Sequence, residues 1–387
     1  MIPLKYNIRN LRVRWVTTLM TVLGTALVVW ASVLTFGLVD GLDHALTTTG
    51  DPLDMIVMRQ GSNDETSSTI NAQTAREISN LAGIARNSED QPLCSSEFVT
   101  ILTKPRRNEG GTTNLIVRGL NPIGRTLRPD FRIVEGRDLK PGVNEAITSR
   151  SMANRFENLG LGEAIEINKL NFQIVGIFEA GGSAAESEVW TDLRDLTTSQ
   201  RVPNAVSVVN FRSKDQSIMD GLVDRIRDDE QFKLKPVSEP AYFEDQKSAS
   251  IAIKFVGLVI AGFLTIGAMF AAANTMYAAV ASRSREIGTL RAIGFQRRSV
   301  LMSFMLESLI ICLLGGLIGC LATLPFNGLS TGTANWATFS EITFSFRFGP
   351  SVLLRGMGLA LVMGLLGGLF PAISAVRLRI VDSLRQR

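Results

Sequence analysis

Four long stretches without a charged side chain constrain the fold of this 387-residue chain more than any other feature of its sequence. About 20 consecutive apolar residues cross a bilayer as a helix. A buried helix of a soluble protein is the alternative for any one stretch, but four of them would each need a thick protein coat. In the third stretch, Pro325 and Asn327 predict that the helix ends near Leu324. The sequence therefore predicts four transmembrane helices, at residues 16–39, 255–282, 308–325 and 356–376.

Basic residues before the first stretch also suit a secretory signal peptide. The hydrophobic region of such a peptide is about 7–15 residues long, whereas residues 16–39 are uncharged throughout. No cleavage site with small residues lies directly before Asp40. We therefore interpret the first stretch as an uncleaved signal anchor.

The distribution of basic residues predicts how the chain is oriented in the membrane, because Lys and Arg concentrate in cytoplasmic loops. Residues 1–15, 283–307 and 377–387 together carry thirteen Lys or Arg side chains and three acidic ones, while the rest of the chain is net acidic. Four spans place these three segments on one side. We predict a multi-pass protein of the cytoplasmic (inner) membrane with both termini in the cytoplasm. The pI of about 9.1 then requires no nucleic acid partner.

The two other segments, 40–250 and 326–354, are predicted to be extracytoplasmic. The first is long enough for one large or two small subdomains, and it mixes strand-like and helix-like runs. The predicted fold class is an α-helical membrane protein with four transmembrane helices plus an α+β extracytoplasmic domain inserted between helices 1 and 2. The strand-like runs are residues 55–58, 98–102, 114–117, 164–167, 172–178, 188–190 and 206–211, and the helix-like runs are residues 74–81, 149–159 and 217–229.

Few residues carry specialised chemistry. A single histidine, His44, argues against a multi-His zinc enzyme, and three cysteines argue against a disulfide scaffold. Cys94 is the only cysteine in the predicted extracytoplasmic domain, whereas Cys312 and Cys320 are predicted to be packed inside the third span. We predict no metal site in this chain.

The second extracytoplasmic segment is rich in aromatic side chains. We interpret them as an aromatic belt at the membrane surface, with direct contact to a substrate as the alternative. The residues are Trp336, Phe339, Phe344, Phe346 and Phe348.

The loop between the second and third spans is the strongest candidate for a binding site. It reads Ser282-Arg-Ser-Arg-Glu-Ile-Gly-Thr-Leu-Arg-Ala-Ile-Gly-Phe-Gln-Arg-Arg298, in which Ile287, Leu290 and Ile293 recur every three residues. A narrow apolar ridge between charged sides is typical of a helix that docks into a groove on another protein. A helix held on the membrane surface by anionic lipid has the same pattern, so the pattern leaves both interpretations open.

The same loop resembles the signature of FtsX-like/MacB-like ABC transporter permeases, of the four-span type with a large extracytoplasmic core domain and no fused ATPase. The loop residues that carry the resemblance are Arg285-Glu-Ile-Gly-Thr-Leu-Arg-Ala-Ile-Gly294 and Arg297-Arg298, followed by Leu306-Glu-Ser308 and Leu314-Gly-Gly-Leu-Ile-Gly319. Matching pieces elsewhere are Asn7-Ile-Arg-Asn-Leu-Arg12, residues 133–139, 159–162 and 172–178, Gly368-Leu-Phe-Pro-Ala-Ile-Ser-Ala-Val-Arg377 and Val381-Asp-Ser-Leu-Arg385. The resemblance therefore covers nearly the whole chain.

The resemblance implies partners and a mechanism. It implies an outside domain of two subdomains, a homodimer or a pair with a paralogous permease, and mechanotransmission of ATP-driven closure to the outside domains. It leaves a periplasmic adaptor and an outer-membrane duct open as further partners. It also implies that the cytoplasmic loop is a coupling helix that sits on an ABC ATPase subunit, through Arg285, Glu286, Ile287, Gly288, Leu290, Arg291 and Gly294.

No Gly-x-x-x-x-Gly-Lys-Ser/Thr phosphate loop occurs in these 387 residues. The chain therefore lacks the backbone cradle and the lysine that hold the β- and γ-phosphates. We expect a non-catalytic membrane subunit that binds no cofactor itself, with ATP and Mg on a separate ATPase chain.

Small residues at four-residue spacing let transmembrane helices approach closely. Gly315 and Gly319 have this spacing in the third span, and Gly364 and Gly368 have it in the fourth. Such pairs serve a dimer interface and packing within one chain equally well.

Glu307 lies at the start of the third span, where a polar group needs a partner. One interpretation is a salt bridge with Arg298 or Arg283 at the cytoplasmic interface. A proton or ion pathway is the other.

The predicted function is that of a permease subunit that couples ATP hydrolysis by a separate ATPase to export or extraction on the extracytoplasmic side. The alternative is an FtsX-type regulator, which transmits the ATPase's conformational change to an extracytoplasmic hydrolase or adaptor without transport. A membrane-anchored receptor without an ATPase is a third class, and residues 285–298 argue against it.

Overall fold

The computed structural model describes residues 13, 15–47, 50–107, 110–128, 130–229, 231–246, 248–335, 338 and 340–377. Most of the predicted cytoplasmic segments 1–15 and 377–387 lies outside the described residues, as do Trp336 and Phe339. The chain divides into two compact units. We call residues 1–40, 252–329 and 346–387 the helical unit, and residues 41–251 and 330–345 the α/β unit.

Helices and strands are numbered in chain order over the described residues. The helices are α1 (Trp15–Thr47), α2 (Ala72–Ser79), α3 (Pro122–Thr126), α4 (Arg150–Arg155), α5 (Leu193–Ser199), α6 (Gln216–Arg227), α7 (Glu239–Gln246), α8 (Ser248–Ser282), α9 (Ser284–Ala292), α10 (Arg297–Thr323) and α11 (Pro350–Arg377). The strands are β1 (Asp54–Arg59), β2 (Ile70–Asn71), β3 (Cys94–Pro105), β4 (Thr112–Leu120), β5 (Phe131–Gly136), β6 (Glu145–Ser149), β7 (Ala164–Ile167), β8 (Leu170–Ala180), β9 (Glu188–Asp192), β10 (Ala205–Val206), β11 (Val208–Arg212), β12 (Leu234–Ser238), β13 (Ser330–Ala334) and β14 (Glu341–Ser345).

Four helices of the described chain, α1, α8, α10 and α11, are long and apolar enough to cross a membrane. Two of them run well past the uncharged stretches, since α1 continues to Thr47 and α10 begins at Arg297 rather than at Ser308. The length of an apolar stretch matches the membrane thickness, whereas the end of a helix depends on how its last backbone groups are satisfied. The predicted class, four transmembrane helices with an α+β domain, is confirmed.

Glycines let α10 approach α1 closely inside the helical unit. A Cβ atom at Gly315 would lie 2.8 Å from the carbonyl oxygen of Val22, and one at Gly319 would lie 2.6 Å from that of Ala26. Both obstacles are backbone atoms, which cannot rotate away. Contact between α1 and α10 at this separation therefore requires glycine at both positions.

The second pair of glycines faces α10 from α11. A Cβ atom at Gly364 would lie 3.1 Å from the Cβ of Cys312, and one at Gly368 would lie 2.6 Å from the Cβ of Ser308. The Ser308 hydroxyl also donates a 2.8 Å hydrogen bond to the Gly364 carbonyl. All four predicted packing glycines thus contact helices of their own chain.

Ten strands of the α/β unit form one mixed sheet in the order β12-β1-β11-β3-β4-β9-β6-β8-β5, with β7 paired to β8. Neighbouring strands are antiparallel except for the pairs β4–β9 and β6–β8. The long hairpin of β3 and β4 lies in the middle of this order. It joins a half built from β12, β1 and β11 to a half built from β9, β6, β8 and β5.

Each half of the sheet has its own hydrophobic core. In the first half, α6 buries Leu222 and Ile226 against strand residues such as Phe211. In the second half, Trp190 stacks on Phe178 with ring centroids 4.4 Å apart, and both side chains are fully buried. Burial of large aromatic side chains contributes most to such a core.

The three cysteines are buried free thiols. Burial raises the pKa of the Cys94 thiol to about 12, and the neighbouring Glu97 carboxylate adds to the effect. A thiol with this pKa contains almost no reactive thiolate at neutral pH.

The predicted aromatic belt is wrong for two of its members. Phe344 lies on β14 in the α/β unit and is 5% exposed. Phe348 is 7% exposed and packs with Val33 and Val352 in a core of the helical unit. Aromatic side chains at a membrane surface need contact with lipid, but Phe344 is buried in the α/β unit and Phe348 in the helical unit.

Candidate coupling site

One apolar residue fixes the short helix α9 to the helical unit. Ile287 is 2% exposed. It belongs to a buried cluster with side chains from α8, α10 and α11, namely Met276, Val280, Val300, Phe304, Ala372 and Ala375. Because this cluster contains side chains from three long helices, it connects α9 to all of them.

A buried ion pair connects the chain before α9 to α10. Arg283 donates from Nη1 to Glu307 Oε2 at 2.9 Å, and both residues are less than 10% exposed. The guanidinium also lies over the Phe304 ring, 5.2 Å from its centroid, and Nε donates to Glu286 at 3.3 Å. The structure therefore places Glu307 in the salt bridge with Arg283, the interpretation that gives it a structural role.

The far end of α9 is held by two further contacts. Arg291 donates from Nη1 to the carbonyl of Val376, 3.2 Å away, in the last turn of α11. Gly294, with φ of +107°, donates to the Arg291 carbonyl, and the Phe295 amide donates to the Leu290 carbonyl at 3.1 Å. These two backbone bonds form a Schellman motif, which requires a left-handed residue after the helix. Glycine therefore ends α9 here.

The predicted apolar ridge of Ile287, Leu290 and Ile293 is wrong as a single surface. Ile287 points into the helical unit, Leu290 is half-buried, and Ile293 is 72% exposed. Successive side chains on a helix point about 100° apart, so residues three positions apart fall about 60° short of a full turn. The first and last of these three side chains therefore point about 120° apart. The ridge therefore divides between an inner and an outer side.

The predicted coupling residues divide in the same way. Ile287 and Gly288 are buried, and Arg291 is bonded to α11. Arg285 and Glu286 are exposed, as are Thr289 and Ile293. We call Arg285, Glu286, Thr289 and Ile293 the outer face of α9. It is a charged surface with one large apolar side chain, on a helix that is bonded to the long helices at both ends.

The α/β unit contains a buried charge cluster that the sequence analysis missed. Arg118 of β4 donates from Nε and Nη2 to the two oxygens of Glu188 at 2.7 Å, and from Nη1 to Glu97 at 2.8 Å. It also pairs with Glu65 at 2.5 Å. Arg128 donates to both oxygens of Glu97 at 2.6 and 2.7 Å. Residues 65, 97, 118 and 188 are far apart in sequence, so no local motif could have indicated the cluster.

The two guanidiniums keep Glu97 ionised, whereas burial raises the pKa of Glu65 in the same cluster. Burial alone would raise the pKa of Glu97, but the charges and hydrogen bonds of Arg128 and Arg118 outweigh it and hold the pKa at about 2. Burial likewise disfavours the Arg118 cation, yet the surrounding carboxylates raise its pKa well above the usual value. The cluster lies where β3 and β4 join the two halves of the sheet.

A cleft beside this cluster is too small for a substrate. Its volume of about 60 Å³ holds about two water molecules, whereas pockets for drug-sized ligands have volumes of about 300–1,000 Å³. Among the residues that the structure describes, no three His, Cys, Asp or Glu side chains are placed to hold a metal ion. The outer face of α9 is therefore the better candidate for a functional site.

Comparison with known families agrees with this architecture. The model of the MacB-like periplasmic core domain matches residues 18–229, more than half of the chain, and the model of the FtsX-like permease C-terminal region matches residues 258–380. The chain therefore belongs to the family of MacB/FtsX-like permeases, and it is a multi-pass membrane protein.

Similar proteins include three named macrolide export ATP-binding/permease protein MacB. That of Bdellovibrio bacteriovorus is 27% identical over 253 residues, which cover 59% of this chain and 36% of that protein. That of Brucella abortus is 29% identical over 56% of this chain and 34% of its own length, and that of Campylobacter jejuni is 25% identical over 81% and 48%. The chain thus spans about a third to a half of the length of these relatives.

Among solved structures, the periplasmic region of MacB from Actinobacillus actinomycetemcomitans aligns with 53% of this chain and 94% of its own. The TM-score is 0.38 and the sequence identity is 12%, a similarity too low to carry an argument.

Proposed function

We propose that this chain is the transmembrane subunit of an ABC transporter in the cytoplasmic membrane, with both termini in the cytoplasm. In this proposal a separate ATPase docks on the outer face of α9, and its closure on ATP drives export or extraction on the extracytoplasmic side by mechanotransmission. The related MacB proteins are named as both ATP-binding and permease proteins. These 387 residues contain no phosphate loop. The proposal places ATP binding on a partner chain.

The observation that carries the proposal is the rigid mounting of α9. Ile287, Arg283 and Arg291 connect this helix to three long helices. A displacement of α9 by a partner is therefore passed to α8, α10 and α11 together. Packed helices transmit such a displacement because close-packed interiors resist compression.

The composition of the outer face favours a protein partner over a lipid surface. A helix held by anionic lipid has a basic polar face and a broad apolar face. Here Glu286 lies beside Arg285, and Ile293 is the one large apolar side chain of the face. Mixed charge around one apolar side chain suits a complementary protein surface better.

The proposal includes a homodimer. The predicted packing glycines contact helices of their own chain, so they do not provide its interface. We place the dimer interface on α8 instead, because only 22% of the most apolar segment of α8 is buried within the chain, compared with 39–44% for the other three spans.

The test is to purify the tagged full-length chain and to measure the ATPase that copurifies with it. Ile293→Asp places a charge at the C-terminal end of the outer face, in place of its one large apolar side chain, and we expect at least about a tenfold loss of bound ATPase. Val143→Asp is the matched control, because Val143 is a similarly exposed apolar residue (55%) in the α/β unit. Equal ATPase recovery with both variants would contradict docking at α9.

The same purification separates transport from regulation. An ATPase that copurifies without a hydrolase supports the transporter, whereas a cell-wall hydrolase in the complex supports the FtsX-type regulator. A periplasmic adaptor or an outer-membrane duct, if part of the system, would appear in the same complex.

A further inference from the structure

The chain between α10 and α11 folds as the hairpin β13–β14, which belongs to the α/β unit. Covalent continuity ties this hairpin to both helices, since α10 ends at Thr323 and α11 begins at Pro350. A displacement of either helix therefore pulls on the hairpin through a short length of chain. What the hairpin can move depends on how it is fastened to the rest of the α/β unit.

The strongest contact between the hairpin and the rest of the α/β unit is made by a buried carboxylate, and we call this contact the fastening. Glu341, the first residue of β14, is 2% exposed. Arg106 donates from Nε and Nη2 to Glu341 Oε2 at 3.0 and 2.6 Å. Arg155 donates from Nε to Oε1 at 3.0 Å and pairs with the same oxygen through Nη2. Charge-assisted hydrogen bonds of this kind are about twice as strong as neutral ones.

The two arginines come from different parts of the α/β unit. Arg106 directly follows β3, and Arg155 is the last residue of α4. The carboxylate therefore connects the hairpin to the central strands and to a helix of the second half at once. Gly332 of β13 leaves room for it, because a Cβ atom at that position would overlap the Glu341 carboxylate.

A second, neutral contact lies two residues further along β14. The Thr343 amide donates to Ser187 Oγ at 2.8 Å, and the two hydroxyl oxygens are 3.1 Å apart. A neutral bond contributes only about 1 kcal/mol of net stability. It aligns the strand, but it resists displacement less than the charged contacts do.

We propose that the Glu341 carboxylate, held by Arg106 and Arg155, is the fastening through which motion of α10 and α11 reaches the α/β unit. The inference rests on the mechanical role proposed above, and it names Glu341 as a residue that performs this role. A buried ion pair is often no more stabilising than apolar residues of the same size. Here a different arginine binds each oxygen of the carboxylate, so the contact fixes the position of the hairpin relative to both arginines. Transmission of motion requires such a fixed position.

The experiment is hydrogen–deuterium exchange on the full-length chain in nanodiscs with its copurified ATPase, with and without ATP and Mg. In the wild type, we expect ATP to change the exchange of the hairpin amides and of the amides around Arg106 and Arg155. In Glu341→Gln, we expect the hairpin response to remain and the response around the arginines to fall at least about tenfold.

Two controls separate transmission from loss of structure. Asp54→Asn breaks another ion pair of the α/β unit, in which the half-buried Arg212 donates to the buried Asp54 at 2.7 Å, and it should leave the ATP response intact. A disulfide between Ser187→Cys and Thr343→Cys, added to Glu341→Gln, should restore the response until it is reduced.

Each contrary outcome has its own meaning. An ATP response around the arginines that persists in Glu341→Gln overturns the fastening alone. An equal loss in Asp54→Asn also overturns it, because general destabilisation would then explain the effect. No ATP response anywhere in the wild type overturns the proposed function, and the fastening with it.

Discussion

Replacement of Glu97 by glutamine removes one negative charge from the centre of the buried cluster in the α/β unit. Glu97 is fully buried, and its two oxygens accept hydrogen bonds from Arg118 and Arg128. Glutamine keeps the shape but offers one acceptor oxygen and no charge. The variant therefore resembles the protonated form of the wild type.

The pKa of Glu97 gives the size of the effect. Its pKa lies at about 2 in the folded protein, below the ordinary value of 4.5, so the ionised form stabilises the fold. The difference corresponds to about 3 kcal/mol of unfolding free energy at pH 7. Because the folded pKa is lowered, this stability is complete above pH 4.5 and is lost as the pH falls toward 2. At pH 3.5 the advantage over Glu97→Gln should be about 2 kcal/mol.

The assay is urea unfolding of the full-length chain in detergent, followed by the fluorescence of Trp190. This indole donates to Glu188 at 2.8 Å and so reports on the cluster, provided that the other three tryptophans are replaced by phenylalanine. Glu89→Gln is the control, since Glu89 is exposed and its replacement should change stability by less than about 0.5 kcal/mol. A loss below about 1 kcal/mol in Glu97→Gln at pH 7, or a loss that does not shrink at pH 3.5, would refute the reasoning.

Three further predictions follow from close contacts, backbone strain and burial. Gly319→Leu should lower the melting temperature in detergent by several degrees, because its side chain meets the backbone of α1, whereas Gly358→Leu should not, since nothing lies within 4 Å of a Cβ there; equal melting temperatures would contradict the packing argument. Gly294→Ala should weaken the end of α9 by about 1 kcal/mol, seen as roughly fivefold faster exchange of the Phe295 amide, and unchanged exchange would show that the left-handed φ is not strained. Cys94 should react with a maleimide at least about a hundredfold more slowly in the folded than in the unfolded protein at pH 7.5, and rapid labelling of the folded chain would contradict its burial.

The sequence predicts the elements that have a strong local pattern. The four uncharged stretches correspond to the four long helices, and the helix-like run at residues 217–229 corresponds to α6, which buries Leu222 and Ile226. Strand β12 is not among the predicted strand-like runs, and it contains Pro236, which cannot donate to a neighbouring strand. The structure places β12 at an edge of the sheet, where one side of the strand needs no donor.

The coupling segment shows where sequence reasoning ends. The motif lies on a segment that folds as the helix α9, but three-residue spacing alone does not show that Ile287 faces inward and Ile293 outward. The cluster around Ile287 determines which side of α9 faces inward, and its other members come from α8, α10 and α11. Contacts between residues so distant in sequence leave no periodic signal in the α9 segment itself.

Within the part of the chain that the structure describes, arginine–glutamate contacts with a buried carboxylate lie at three joints of the fold. Arg283 pairs with Glu307 beside α9, Arg118 lies among the carboxylates at the junction of the two sheet halves, and Glu341 binds two arginines at the hairpin. Each joins segments that are distant in sequence. Apolar contacts would stabilise such joints as well, but they tolerate sliding, whereas charge-assisted bonds hold only in one geometry. We infer that the charges at these joints select one relative position of the joined segments, which the proposed transmission of displacement would require.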